Sequence, residues 1–498
     1  MKVLLISPAM KNNMPPACHK EPPMGLISIA THLTRCGHTV KVVDRLVKVR
    51  SIEREIKTFR PDFVGITLMY VKTIKDACRC SKTAKKFGAQ VVWGGHLATV
   101  IPELILKESF VDFVIMGEGE HTFQDLLNEA EKEINYSKIA GLAYKNDGMI
   151  RINTCRELTE LSSLPPMDFG FVNPSDYFQS YSFCKRQVHL YTSKGCPGRC
   201  AFCHNPFINN SVHRKRPIEH VLEEIRTLVD VHGADGIYFE DEILRTNSKD
   251  LAEICAAFRN SGIDFIWGCK MRIGILTPED FTIMYQSGCR WIFFGVESAS
   301  EEMCRIMHKG ISLSEVQEDI ENCAAAGILP TASFIVGLPD ETVEQLKQTV
   351  TMAKSLTSAV TFCSFLVPYV AAEYYNKLIA KNQIVPAENL SELINYPTSN
   401  EYLPNNYSAI PDRDLKVVRA YLLWWSFKVK PTSGDDTGFS LSKKALAETF
   451  GNLYVRGIKG VVSETYGVVH MAVSFGFNLF CFPRVKKKYG LTLNRTHK

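Results

Sequence analysis

The chain reads Gly195-Cys196-Pro197-Gly198-Arg199-Cys200-Ala201-Phe202-Cys203 directly after an apolar run at 188–192 that predicts a β-strand. The three cysteines follow the spacing CxxxCxxC, and the glycines allow the loop to curl. A [4Fe–4S] cluster held entirely by protein uses four thiolates. Cys196, Cys200 and Cys203 can therefore hold three corners of one cubane and leave one iron open to chelate a substrate.

A zinc site is the alternative interpretation of this loop. Zinc ligands typically come as a CxxC pair with a second pair further along the chain. No second pair accompanies this loop in the sequence. The spacing therefore favours an iron–sulfur cluster over zinc.

Apolar runs and helical patterns alternate on both sides of the cysteine loop. Thr277 precedes a proline at the first helical position, and Ser312 with Glu315 forms a capping-box pattern. Six strand–helix units predict an open, partial (β/α)6 barrel of the TIM type, with its reactive groups at the carboxyl ends of the strands. The candidate strands are 188–192, 236–240, 264–269, 291–295, 332–336 and 360–366.

A three-cysteine loop at the end of a first barrel strand resembles the radical S-adenosylmethionine (SAM) family. The resemblance implies that SAM binds the open iron through its amino and carboxylate groups. It also implies that an electron from the cluster cleaves SAM to a 5′-deoxyadenosyl radical, which abstracts hydrogen from a substrate.

The same resemblance implies SAM contacts near the strand ends. An acidic pair there would meet the SAM ammonium in a charge-assisted hydrogen bond, and an arginine could take the SAM carboxylate bidentately. An aromatic residue is expected beside the adenine, and further residues at the ribose, carboxylate and adenine. The acidic pair is Asp241 and Glu242, the arginine is Arg272, and the aromatic residue is Phe202. Glu297 and Ser298 are expected at the ribose and carboxylate, and Val336 at the adenine. The alternatives are a solvated loop for the acidic pair and surface salt bridges for Arg272 and Glu297.

The N-terminal part of the chain has its own alternation of apolar runs and helices. Buried runs separated by helices predict a Rossmann-like parallel sheet covered on both faces, with a ligand beyond the carboxyl ends of its strands. No GxGxxG follows the first run, which disfavours a dinucleotide. The runs lie at 3–6, 39–43, 63–68, 90–93 and 113–116.

Segments 22–26, 37–40, 94–99 and 117–123 resemble the cobalamin-binding domain that precedes the barrel in one branch of the radical SAM family. The resemblance implies that cobalamin binds at the strand ends of this domain. The residues expected there are Thr67, Leu68, Gly94, Gly95, His96, Gly117 and Glu118.

Two departures from known patterns bear on the chemistry, and many members of this branch share the first. Cobalamin proteins that bind cobalt through histidine carry DxHxxG, whereas this chain has Asp44-Arg45-Leu46. A cobalt without a histidine on its lower face is poised for the Co(I) state and for methyl transfer. His96 could approach the corrin or be a turn residue bonded to backbone.

Pro368-Tyr369 stands where relatives usually have a proline–glycine turn, so the exit of the sixth strand, which borders the substrate, is expected to be reshaped.

The expected domains are a cobalamin-binding-like unit at 1–130, a connector at 131–185, the barrel at 186–385 and a mostly helical region at 386–498. The last region carries Trp424, Trp425 and Phe427, an apolar stretch at 466–482 and a basic run at 484–488. The apolar stretch is short for a membrane span. These features could cap the barrel mouth and exclude water from a radical, or could dock the protein on a membrane surface.

Composition narrows the protein class. Among 498 residues, 45% are hydrophobic and 22% charged, and the net charge is only +5, which does not favour nucleic acid as a partner. The 16 cysteines are scattered rather than arranged as a disulfide framework. The first apolar run is too short for a signal peptide. We therefore expect reduced thiols and a cytoplasmic location.

Three functions stay open from the sequence. The first is a cobalamin-dependent radical SAM methyltransferase acting on an unactivated carbon. The second is a radical SAM enzyme without methyl transfer, such as a cyclase, a ring-contracting enzyme or a hydroxylase. The third is a non-catalytic sensor that binds cobalamin or a cluster. The expected partners are an electron donor such as a flavodoxin or ferredoxin and a substrate that is a small molecule, a lipid or a peptide.

Overall fold

The computed structural model describes residues 1–10, 21–69, 71–132, 135–180, 183–394, 405–426 and 483–491. Its strands form two large sheets, one at the N-terminus and one in the middle of the chain, and helices cover both. The α/β class expected from the alternating patterns is confirmed.

The N-terminal sheet has seven strands in the order β2-β1-β3-β4-β5-β6-β7. The first five are parallel, and β6 and β7 form a hairpin that adds antiparallel to β5. The segment following residue 130 thus extends the sheet. The strands are β1 Lys2–Ser7, β2 Thr39–Asp44, β3 Phe63–Thr67, β4 Gln90–Gly94, β5 Phe113–Ile115, β6 Leu142–Asn146 and β7 Met149–Ile152.

Helices cover both faces of this sheet, and each face has its own apolar core. Alternate residues of β1 divide between them: Leu4 and Ile6 enter one core, and Val3 and Leu5 the other. This division explains why the strands read as continuous apolar runs. The helices are α1 Met24–Arg35, α2 Ile52–Phe59, α3 Ile74–Lys86, α4 His96–Val100, α5 Pro102–Leu106 and α6 Gly119–Ala130.

The second sheet has six parallel strands in the order β15-β14-β13-β12-β11-β8, which is the expected open barrel. A two-stranded antiparallel ribbon, β9–β10, follows the first of these strands. The strands are β8 Gln187–Leu190, β9 Ser193–Lys194, β10 Arg214–Lys215, β11 Gly236–Phe239, β12 Ile266–Met271, β13 Cys289–Glu297, β14 Leu329–Val336 and β15 Val360–Phe365.

The helices of the barrel begin largely where the sequence signals predict. Thr277 caps α10 in a full capping box with Asp280. The capping box predicted at Ser312 is wrong: Ser312 is the cap residue of α12, but its hydroxyl pairs with Ser314 instead of the helix backbone. The helices are α7 Asn205–Ile208, α8 Ile218–Arg226, α9 Ser248–Asn260, α10 Pro278–Gln286, α11 Glu301–Ile306, α12 Leu313–Ala325, α13 Val343–Ser355 and α14 Glu373–Ala380.

Three described helices follow residue 385: α15 Leu390–Ile394, α16 Asp412–Ser426 and α17 Pro483–Lys488. α15 packs on the N-terminal domain, and α16 packs against β15 and α13 as an outer helix of the barrel. Trp425 is buried in that outer core rather than placed over the barrel mouth. Lys488, from the basic run, binds Asp414 at 2.7 Å. Phe427 and the stretch 466–482 lie outside the described residues.

No helix in the described part of the chain combines the length and apolar character needed to cross a membrane.

Candidate functional site

The three-cysteine loop spans the gap between the strands of the β9–β10 ribbon. β9 ends at Lys194, immediately before the loop, and β10 begins at Arg214. The amide of Asn205 donates to the Cys196 carbonyl at 2.8 Å, and the backbone N–H of Ala201 donates to Met307 at 2.9 Å. These contacts hold the loop against α11 at the carboxyl end of the barrel.

The surroundings of the thiols fit a cluster. Backbone N–H groups donate to two of the sulfur atoms: Gly198 to Cys196 and Asn205 to Cys203, each at 3.4 Å. Burial, with the neighbouring thiols, raises the pKa of Cys203 to about 12, so the ionised form needs a nearby cation such as iron. A Cβ at Gly198 would lie 3.1 Å from an Arg272 guanidinium nitrogen and 3.4 Å from the Cys196 Sγ, so the glycine lets the loop pass close to Arg272 and to the thiols.

The structure separates the two members of the expected acidic pair. Asp241 is buried, and its carboxylate accepts hydrogen bonds from the backbone N–H of Thr192, at 3.0 Å, and from the hydroxyls of Thr192 and Ser193. Glu242 is exposed and accepts from the Gly195 N–H at 2.9 Å. Glu242 therefore lies beside the cluster loop, whereas Asp241 holds the strand that leads into it.

Arg272 and Glu297 both lie near the cluster loop, and each has a partner. The Arg272 guanidinium donates to the backbone carbonyls of Lys309 and Gly310, the latter at 2.7 Å. The Glu297 carboxylate accepts from the Lys309 ammonium at 2.9 Å in a buried pair. Lys309 also lies 5.9 Å from the centre of the Phe202 ring. Lys309 was not among the residues predicted from the sequence.

Ser298 and Val336 are both fully buried. The Ser298 hydroxyl is buried and accepts from the Ser300 N–H at 3.2 Å. Val336 is fully buried in the outer core, and its carbonyl accepts from the Leu366 N–H at 3.3 Å. Glu341 follows in the same segment, fully buried, and accepts from the Gly337 N–H at 2.9 Å.

The predicted cobalamin residues gather at the carboxyl edge of β3, β4 and β5. Thr67 pairs with Gly94 in register, and the Leu68 N–H donates to the Gly94 carbonyl at 2.7 Å. Gly95 has φ +95°, and a Cβ there would lie 2.9 Å from the Thr67 hydroxyl. Leu68 itself is buried in the core, so only its backbone faces this edge. A smooth backbone surface of this kind fits a large planar ligand.

The end of β5 presents Gly117 and Glu118 differently. Gly117 has φ +79° with open space around it, as a close backbone approach requires. Glu118 points to the barrel unit, where its carboxylate binds Arg214 and Lys194.

His96 meets the cluster loop. Its ring lies 5.1 Å from the ring of His204, which directly follows Cys203, and the His204 ring lies 5.4 Å from that of Tyr369. Burial, with the nearby His204, lowers the pKa of His96 to about 3, so the imidazole is neutral at physiological pH. The cobalamin-domain edge and the cluster loop thus face each other directly.

The end of β2 carries no histidine toward this edge. Arg45 is buried and binds Asp76 at 2.7 and 3.0 Å, while Asp44 accepts from the Tyr177 hydroxyl at 2.9 Å. Leu46 stands at the position of the missing histidine, and its neighbour Arg45 is held by an ion pair internal to the domain.

The barrel interior holds a polar cluster that the sequence reasoning missed. His189 Nδ1 lies 2.6 Å from a Glu240 carboxylate oxygen, and Lys270 donates to the other oxygen. The Tyr238 ring stacks on Trp291 with centroids 4.9 Å apart. A filled TIM barrel has branched apolar residues at such positions. The period-two alternation of these strands could have indicated the cluster, because His189, Glu240 and Lys270 interrupt apolar runs at inward positions.

Two family models match the chain: the B12 binding domain over residues 17–127 and the radical SAM superfamily over residues 190–353. An uncharacterized methyltransferase of Pyrococcus horikoshii is 30% identical over 392 residues, covering 77% of this chain and 84% of that protein. The anaerobic magnesium-protoporphyrin IX monomethyl ester cyclase of Rubrivivax gelatinosus is 25% identical, covering 78% of this chain and 72% of that protein.

Solved structures share the fold. The cobalamin-dependent SAM radical enzyme OxsB with aqua-cobalamin bound aligns with a TM-score of 0.66 at 16% identity, covering 96% of this chain and 72% of that one. The radical SAM methyltransferase TsrM of Kitasatospora setae, with cobalamin and a [4Fe–4S] cluster bound, aligns with a TM-score of 0.58 at 18% identity, covering 73% of this chain and 74% of that one.

Proposed function

The chain belongs to the cobalamin-binding radical SAM enzymes, and from that premise we propose that it methylates an unactivated carbon of a substrate held in the barrel. Its cofactors are a [4Fe–4S] cluster, SAM and cobalamin. The cluster supplies the electron that cleaves SAM, and cobalamin carries the methyl group. Enzymes of this family also need an electron donor, for which we propose a flavodoxin or ferredoxin.

One observation carries the proposal. The ring of His96, on the edge that we assign to cobalamin, lies 5.1 Å from the ring of His204, beside Cys203, and this contact supports two cofactor sites at one barrel mouth. Radical methylation needs a hydrogen-abstracting group and a methyl carrier at the same substrate carbon, and this arrangement supports both. A non-catalytic sensor would need neither Glu242 beside the cluster loop nor an open polar barrel.

The substrate site that we propose is the barrel interior. Tyr238 and Trp291 offer stacked aromatic faces, and the Glu240–Lys270 pair offers a donor and an acceptor. Lys270 keeps a third of its side-chain surface accessible although it lies inside the barrel, which is consistent with a cavity beside it. Such a site suits a substrate with an apolar or planar body and one ionisable group.

In this proposal Cys196, Cys200 and Cys203 hold the cluster. Glu242, Phe202 and the Arg272–Lys309–Glu297 group surround SAM. Thr67, Gly94, Gly95, His96 and Gly117 line the cobalamin site. We also propose the reducing cytoplasm as its location, because thiols there stay available for a cluster.

A non-methylating reaction is the second candidate, because one relative is named as a cyclase. The experiment is anaerobic reconstitution of the full chain with iron, sulfide and cobalamin, followed by turnover of candidate substrates with a chemical reductant and SAM whose methyl group is deuterated. Methylation is expected to give 5′-deoxyadenosine, S-adenosylhomocysteine and a product carrying the label. A product without the label, formed together with 5′-deoxyadenosine, would assign the second candidate, and no SAM cleavage at all would favour a sensor.

A further inference from the structure

The ribbon that frames the cysteine loop contains a local charge conflict. Lys194 of β9 and Arg214 of β10 are direct cross-strand partners. Two cations facing each other across a two-stranded ribbon destabilise it. The loop between them carries all three cluster cysteines, so the conflict lies at its base.

A carboxylate from the other domain resolves this conflict. Glu118, after β5, accepts from both terminal nitrogens of Arg214, at 3.0 and 2.9 Å, and from the Lys194 ammonium at 3.1 Å. The backbone N–H of Thr159 adds a fourth donor at 2.8 Å. Glu120 adds a weaker contact, 3.8 Å from the Lys194 ammonium. The bidentate Arg–carboxylate geometry is directional as well as strong.

The charges confirm that the carboxylate is ionised. Burial alone would raise the pKa of Glu118, but Lys194 and Arg214 outweigh that effect and hold the pKa at about 2. The side chain of Glu118 is only 14% exposed, so water screens these contacts weakly. All four donors bind the two carboxylate oxygens, which leaves little capacity for a cofactor contact.

We infer that Glu118 is a positioning residue that fixes the cluster loop relative to the cobalamin domain. Gly117, next to it, lies on the edge that we assign to cobalamin, and Lys194 directly precedes Gly195 and Cys196. One side chain therefore links the strand end on the cobalamin side to the first residues of the cluster loop. Because Glu118 sets the distance between the two cofactors of the proposed function, its role is the same in a methylating and a non-methylating enzyme.

The test is Glu118→Gln in the full chain, which keeps the shape of the side chain and removes its charge. Both cofactors are expected to load to the parent stoichiometry. Pulsed electron paramagnetic resonance of the state in which Co(II) and the reduced cluster are both paramagnetic measures their dipolar coupling. We expect the dipolar coupling to weaken or broaden at least twofold. We also expect a larger share of the 5′-deoxyadenosine to form without product. Glu118→Asp, which keeps the charge, is expected to restore part of the coupling.

Asp125→Asn is the matched control, because Asp125 lies on the helix that follows Glu118 and pairs with Arg156, away from the cluster loop. It should keep the parent coupling. Arg214→Gln, with Glu118 intact, should reproduce the weakened coupling and answers the question if Glu118→Gln does not fold. A dipolar coupling equal to that of the parent in Glu118→Gln or Arg214→Gln would overturn the inference. So would loss of cobalamin in Glu118→Gln but not in Arg214→Gln, because Glu118 would then be a cobalamin contact.

Discussion

At the scale of single residues, burial distinguishes the cluster cysteines from the cysteines of the barrel core. Cys196, Cys200 and Cys203 are half-buried in one loop, whereas Cys255 is fully buried in the barrel core. Burial raises the pKa of Cys255 to about 12, so it stays a thiol that packs like a small apolar side chain.

Cys200→Ala should therefore abolish the visible absorbance of the cluster and stop 5′-deoxyadenosine formation, because two thiolates cannot hold the cubane. Cys255→Ala is the control and should keep both signals, with a stability loss of about 1 kcal/mol from the lost core volume. Absorbance and chromatography of the anaerobic enzyme measure the two effects. Parent amounts of 5′-deoxyadenosine from Cys200→Ala would refute the assignment.

At the scale of elements, the turn after β4 depends on a glycine that no other residue can replace without strain. Gly95 and Gly37 both have a positive φ, +95° and +91°, and Gly95 combines it with ψ 177°, a region that glycine adopts almost alone. A Cβ at Gly95 would lie 2.9 to 3.1 Å from Thr67 and Leu68, whereas a Cβ at Gly37 would meet nothing within 4 Å.

Gly37→Ala should lose about 1 kcal/mol from its positive φ, and Gly95→Ala about 1–3 kcal/mol, because its backbone region is open to glycine almost alone. Only Gly95→Ala should also weaken cobalamin binding, by tenfold or more, because it displaces the strand edge that we assign to the cofactor. Titration of the full-length apo-protein with cobalamin measures this difference. Equal affinities for the two variants would contradict the assignment of this edge.

The loop after β14 contains a carboxylate whose environment disfavours ionisation. Burial raises the pKa of Glu341 to about 7, although it accepts from the Gly337 and Leu338 N–H groups. A folded pKa above the unfolded one means that the ionisation of Glu341 destabilises the fold. The contribution of protonated Glu341 to the free energy of unfolding is fully present below about pH 4. It is lost as the pH rises to 7, by about 3 kcal/mol in all.

Glu341→Gln should remove that part of the pH dependence, because glutamine cannot ionise. The parent should lose stability between pH 5 and pH 8 relative to this variant, as measured by denaturant unfolding at both pH values. Glu344→Gln, at an exposed position three residues on, is the control and should leave the parent's pH dependence unchanged. Identical pH profiles for the parent and Glu341→Gln would show that Glu341 is accommodated as an anion.

The sequence predicted the elements better than the contacts. Every strand of the barrel was found from its apolar run, because local periodicity determines which residues can be buried. The partners of Asp241, Glu118 and Lys309 could not be found in this way. Each binds a group brought close by tertiary folding, such as Arg214, which lies 96 residues from Glu118. Residue type and strand position predicted Asp241 and Glu118 near the cofactors but not which way their side chains point, and they did not predict Lys309 at all.

At the scale of the whole molecule, the units interlock beyond the boundaries expected from the sequence. β6 and β7 complete the N-terminal sheet, and α15 returns from the end of the barrel to pack on it. α16 covers the last barrel strand, and Arg419 donates from it to the Cys363 carbonyl at 3.1 Å. Removing residues after 400 would thus strip a structural helix as well as any cap or membrane-docking segment.

The size of the cobalamin unit can be tested with two fragments. A fragment of residues 1–130 leaves β5 as an open edge of only three residues, since its partner β6 is missing. A fragment of residues 1–157 retains β6, whose Leu142 and Tyr144 enter one core while Ala143 enters the other. Burying the two large side chains contributes about 1.5–3 kcal/mol each, a substantial part of the stability of a small domain.

We therefore expect the 1–157 fragment to be soluble, to unfold cooperatively and to bind cobalamin, and the 1–130 fragment to aggregate or unfold at a lower temperature. Circular dichroism during heating and the absorbance of bound cobalamin measure both properties. Both fragments lack α15 to the same extent, so the comparison isolates the hairpin. If the 1–130 fragment matched the longer one in melting temperature and cobalamin binding, the hairpin would belong to the connector rather than to the cobalamin-binding fold.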